Sequence, residues 1–221
     1  MSDEGSSLSY QPYLDELTAL ASTEAKKPDL LVAKAEYAQL TGEVFEDDKQ
    51  FEMRMASFLD YFLFDRKSPV TGKTPAQELY EERLRTGPPE VATAYRSFTE
   101  TLHGLFEVRK LGKGTVRLRE LVSGKDHQVT ERRQLAGLSK GDLIEARLVP
   151  FGGHLLFSLA FCCHPKAAFK SILREVKRRK KKDPDRNPRE LTWECSKMAL
   201  KVDRYQQIGV EKIYDFENSR L

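Results

Sequence analysis

Long hydrophobic runs are missing from this 221-residue chain. The longest, Leu155 to Cys163, falls far short of the ~20 apolar residues that a membrane-spanning helix needs. The opening residues, Met1 to Ser7, are polar and acidic, without the basic start or the apolar stretch of a secretory signal. Cysteine is scarce: Cys162 and Cys163 are adjacent, Cys195 stands apart, and an odd number of three excludes a disulfide framework. Reduced, mostly buried thiols are the expectation. These absences point to a cytoplasmic protein with no membrane insertion.

What is present is enough apolar matter for a core and a great deal of charge. Hydrophobic residues make up 39% and charged residues 32%, which excludes a wholly disordered chain. The net charge of +3 conceals an asymmetry. From Met1 to His103 there are 11 basic and 19 acidic residues; from Gly104 to Leu221 there are 26 and 15. Within the second half, Arg109 to Lys182 holds 19 basic against 6 acidic residues. A half so basic invites an anionic partner.

The first half has helical spacing. Leu14, Leu17, Leu20 and Ala21 mark one helix face, and a second helix starts at Pro28 and stops at Gly42. A third, with Asp47 or Asp48 as its cap, carries Phe51, Met55, Phe58, Leu59, Phe62 and Leu63 and belongs at the core. Thr74-Pro75 opens a fourth, and a fifth runs from about Glu90 to Leu102 after a Gly-Pro-Pro break. At His103-Gly104 the period changes. Val116 and Leu118 alternate with Arg117 and Arg119, Gln128 to Thr130 forms another strand, and Gly152-Gly153 folds Leu143–Val149 onto Leu155–Phe161. Four or five such strands in about sixty residues make a bent sheet or small barrel. A helix from Lys166 to about Lys182 and another from Pro188 complete the chain.

Chemistry-bearing motifs are few. Neighbouring residues on a strand face opposite ways, so Cys162, Cys163 and His164 do not all reach one ion, and no second ligand pair follows. There is no Gly-x-Ser-x-Gly elbow and no recognisable catalytic cysteine. His103, His127, His154 and His164 fall near element ends or turns, where surface roles are commoner. Gly72-Lys73-Thr74 ends like a phosphate loop but lacks its first glycine and its preceding strand. The basic run is the strongest signal. Lys177, Arg178, Arg179, Lys180, Lys181 and Lys182, with Lys166, Lys170, Arg174, Arg132 and Arg133, could track a phosphate backbone. Against this stands an exposed helix end whose cations complement the helix dipole, with Asp183 and Asp185 as partners.

The segments FLDYFLFDR (58–66), GKTPAQELY (72–80), GLFEV (104–108), LRELVSG (118–124) and GDLIEARLV (141–149) together resemble bacterial SEC-C-associated proteins. The resemblance spans about Met55 to Phe161 and implies a helical lead-in joined to a small β module as one unit. The cysteine-rich metal motif of those proteins is absent, so the resemblance brings no zinc, and it implies no catalytic residue.

The sequence therefore predicts an α+β fold: a helical part (1–103), a small antiparallel β-sheet or barrel (104–163) and C-terminal helices with the basic run (164–221), packed as one body. It predicts a non-enzymatic binding protein without metal or cofactor, nucleic-acid-associated through its basic half. The alternative is a regulatory adaptor that binds other proteins through its acidic helical half or a sheet edge.

Overall fold

The computed structural model describes residues 9–131 and 137–217. Five helices come first: α1 (Gln11–Ala21), α2 (Lys27–Thr41), α3 (Phe51–Phe64), α4 (Pro75–Thr86) and α5 (Pro89–Thr99). Five strands follow: β1 (Leu102–Gly112), β2 (Thr115–Glu120), β3 (Asp126–Thr130), β4 (Leu143–Phe151) and β5 (His154–His164). The chain ends in α6 (Phe169–Lys182), α7 (Pro188–Arg204) and the short α8 (Val210–Ile213). This is the α+β fold that the change of hydrophobic period implies.

Local chemistry sets most helix boundaries. Gly42 ends α2 with φ +91°, and a Cβ there would meet Leu200 at 2.9 Å, so both its conformation and its close approach require glycine. Thr74 caps α4 in a full capping box with Gln77, with Pro75 in the first turn. The cap of α3 differs from the sequence expectation: Gln50 occupies that position, without a side-chain hydrogen bond. Asp48 instead accepts the Phe45 backbone N–H at 2.8 Å and pairs with Arg204 on α7. Its carboxylate is used to fasten the loop before α3 to the C-terminal helix.

The strands close into a barrel in the order β1-β2-β3-β5-β4. All pairs are antiparallel except β3 with β5, which meet in parallel where Val129 registers with Leu155. The expected antiparallel sheet thus closes through one parallel contact, giving the topology of a five-stranded OB-type barrel. Phe106, Val108, Leu118, Val129, Ile144, Leu148 and Phe157 point inward and fill it.

The barrel is covered on two sides. Phe58, Phe62, Leu63, Tyr95 and Phe98 of the helical part form a core that reaches Val149 and Leu156 on β4 and β5. Ile172 and Val176 of α6, with Leu191 and Cys195 of α7, pack on Leu105 and Leu143. The outer faces of β2 and β3 are left open, and Arg117, Arg119, Asp126 and Gln128 there are exposed. No helix among the described residues is long and apolar enough to cross a membrane.

Candidate functional site

The basic run lies on α6, whose apolar face is bound to the barrel and whose cations divide into two groups. Lys170, Arg174, Lys177 and Lys181 recur at spacings of four, three and four, so they share one face, and all four are exposed. They extend over about 16 Å at 1.5 Å per residue. Arg178 and Arg179 are engaged within the fold. Arg178 donates to both oxygens of Glu175, at 2.6 and 2.7 Å, and Arg179 bridges Glu175 and Glu194. Lys180 donates to the Val122 carbonyl at 2.8 Å, which sets the end of α6 against the β2–β3 connection. Lys166 pairs with Asp142 at 3.4 Å, and Lys182 is exposed. Arg132 and Arg133 lie outside the described residues.

The barrel adds cations that the sequence reading did not place in the site. Arg109 and Lys110 on β1, Lys113 in the β1–β2 turn, Arg117 and Arg119 on β2, and Lys125 before β3 are all exposed. Arg117 and Arg119 converge on Asp126, at 3.1 and 2.9 Å, so this face carries both signs with cations in excess. The signal was available in the alternation of Val116 and Leu118 with Arg117 and Arg119. In an uncovered strand that pattern puts every cation on the outer surface.

A second constellation is buried where the helical part, the barrel and α7 meet. Arg147 on β4 forks onto Asp65 at the end of α3, also donates to the Thr101 hydroxyl at 2.9 Å, and lies 3.4 Å from Asp60. Two carboxylates thus share one guanidinium. Burial pushes the Asp60 carboxyl above its ordinary range. For Asp65 burial acts the same way and is the largest single effect, but the charges of Arg147, His103 and Arg189 with the Arg147 hydrogen bond together outweigh it and hold the group low. His103, the cross-strand partner of Arg147, has its Nε2 2.9 Å from Glu145 Oε1, while the Ser196 hydroxyl donates to the other oxygen of Glu145. A cavity of about 10 Å³, room for roughly one water, lies among Asp60, Asp65, His103, Glu145 and Cys162.

The thiols and histidines are arranged along β5 as strand alternation requires. Cys162 is buried and Cys163 exposed, and His164 returns to the face of Cys162. Cys162 registers with Glu145 across the β4–β5 pair. The donor atoms of Glu145, Cys162 and His164 all lie within 4.8 Å of one another, and these residues could hold a metal ion. His103 and His164 sit at strand ends, yet His164 is buried and His103 nearly so, because helices cover both ends. That departs from the surface roles expected of them.

A family of unknown function, DUF7986, matches residues 17–194, and the chain belongs to it. No curated protein and no solved structure matches the chain. The matched stretch takes in the buried junction apart from Ser196, the whole barrel and all of α6.

Proposed function

We propose that this member of the DUF7986 family is a non-enzymatic binding protein that takes nucleic acid along its basic half. The observation that carries the reading is the uncovered outer face of β2 and β3 of an OB-type barrel, with the exposed end of β1, whose exposed side chains are mostly cations. On barrels of this topology that face and the adjoining turns are a usual oligonucleotide platform, an argument by analogy of fold. The exposed stripe Lys170, Arg174, Lys177 and Lys181 lies on the helix whose end the Lys180–Val122 contact sets against the β2–β3 connection, and it adds further cations to the basic half. No exposed aromatic residue accompanies the cations on β2 and β3, so backbone contact rather than base stacking would dominate.

The experiment is direct binding of fluorescent duplex and single-stranded oligonucleotides at ~50 mM salt, followed by anisotropy. Binding to either, weakened by salt and by Arg117→Gln with Arg119→Gln, is the expected result. Absence of binding to both would end the reading. The adaptor alternative retains one supporting observation: Leu31 and Val32 on α2 are 62% and 52% exposed in the acidic half. Every described strand has partners on both sides, so a protein partner would use that helical half rather than a sheet edge.

A further inference from the structure

We propose that Glu145, Cys162 and His164 form a buried binding site for a thiophilic divalent cation of the Zn²⁺ class. The three supply one carboxylate oxygen, one sulfur and one imidazole nitrogen, a donor set suited to zinc and to spectroscopic substitutes such as Co²⁺. They come from two paired strands: Glu145 faces Cys162 across the β4–β5 ladder, and His164 lies two residues on, on the same face. Their donor atoms already lie within 4.8 Å of one another without an ion.

An independent observation points to a ligand. His164 is 95% buried, and its Nε2 has no hydrogen-bond partner, whereas its Nδ1 lies 2.9 Å from the Tyr214 hydroxyl. A buried ring nitrogen left without a partner costs free energy unless something occupies its lone pair. Fixing one nitrogen through an outer hydrogen bond is how a metal-ligating histidine is held in orientation. Glu145 is held in the same manner, between His103 and Ser196, and each of its oxygens keeps a further lone pair.

In the metal-free chain an unligated cysteine carries its S–H at pH 7. Binding would break that S–H bond, form a metal–sulfur bond and release one proton to solvent, leaving Glu145 and the thiolate to balance the dication. The small cavity beside Glu145 and Cys162 could supply one water as a fourth ligand.

The test is titration of the reduced, chelator-treated, full-length protein with Co²⁺, read by absorption. The expected result is saturation at one equivalent, with a thiolate-to-cobalt charge-transfer band in the near ultraviolet that Zn²⁺ displaces. Cys162→Ala should abolish the band, Cys163→Ala and Cys195→Ala should preserve it, and His164→Gln should weaken affinity by ten-fold or more. Wild-type protein that shows no such band overturns the proposal, and that holds even if the buried variants fail to fold. A band that survives Cys162→Ala and disappears with Cys195→Ala also overturns it. None of these readouts depends on nucleic-acid binding.

Discussion

Asp65 and Arg147 stand 82 residues apart in sequence and meet as a two-pronged ion pair with both side chains 1% exposed. One closes α3 and the other lies on the outer face of β4, so the pair fastens the helical part to the barrel. Removing Arg147 takes the shared guanidinium from two buried carboxylates, Asp60 and Asp65, and leaves Asp65 only the longer contact to Arg189 at 3.4 Å, a loss of about 3–5 kcal/mol. Arg147→Ala should therefore lower the urea midpoint by that equivalent. The apolar double replacement Asp65→Leu with Arg147→Met should recover part of the loss, since desolvating those two charges costs about what their attraction returns, while Asp60 still lacks its guanidinium. An Arg147→Ala midpoint equal to wild type would show that the pair does not fasten the two parts.

The core of the helical part offers a simpler test. Phe62 is 1% exposed and stacks on Phe58, with ring centroids 6.5 Å apart. Phe62→Ala deletes a ring that the surrounding helices cannot refill, at a cost of about 3–5 kcal/mol. A thermal melt of the variant that overlays wild type would place the centre of the core elsewhere.

The parts of this fold that were legible in the sequence are those set by local period. Phe58 and Phe62 lie four apart in an apolar helix, Thr74-Pro75 carries its own capping chemistry, and Gly152-Gly153 forces a hairpin. The β3–β5 closure was not legible, because a single parallel contact at Val129 leaves no periodic trace. The buried junction was hidden for a related reason. Asp65, His103, Glu145, Arg147 and Ser196 are each ordinary polar residues in their own segments, and only the packing of α3 and α7 onto β4 removes them from water. Alternation did predict that Cys162 and Cys163 would part, but not that Cys162 would find Glu145 on the neighbouring strand. For the candidate interface, the six cations of α6 are consecutive and so legible in the sequence, whereas the barrel cations are spread thinly along β1 and β2.

Asp48 gives a pH prediction of definite sign. Hydrogen bonds from Arg204 hold its carboxyl below the ordinary range, against the opposing effect of burial, and the Phe45 N–H adds to the lowering. The unfolded carboxyl titrates near ~3.9. The pair's contribution is therefore full above that value and is lost as pH falls through the lower folded value. Asp48→Asn should destabilise by about 1 kcal/mol at pH 7, the upper end for a partly exposed pair. The gap between variant and wild type should narrow below about pH 4. Denaturation curves at pH 7, 5 and 3.5 check this, and a gap that widens toward acid would contradict the sign.

The exposed stripe on α6 makes the nucleic-acid reading quantitative. Phosphate contacts release counterions, so the logarithm of the binding constant falls with the logarithm of salt by about 0.9 per contact on duplex DNA. If Lys170, Arg174, Lys177 and Lys181 each neutralise one phosphate, they account for about −3.6 of the slope. Replacing these four with Gln should flatten the slope by that amount and weaken binding equally for every base sequence, because backbone contacts carry no sequence information. Arg178 and Arg179 stay in place in this variant, since they hold Glu175 and Glu194 and their loss would disturb the fold. Isolated exposed cations contribute only tenths of a kcal/mol to stability, so the melting temperature should barely move. An unchanged slope in a variant that still binds would assign the phosphate contacts to Arg109, Lys113, Arg117 and Arg119 on the barrel. The basic helix would then be a solvated cover for the barrel, with no part in recognition.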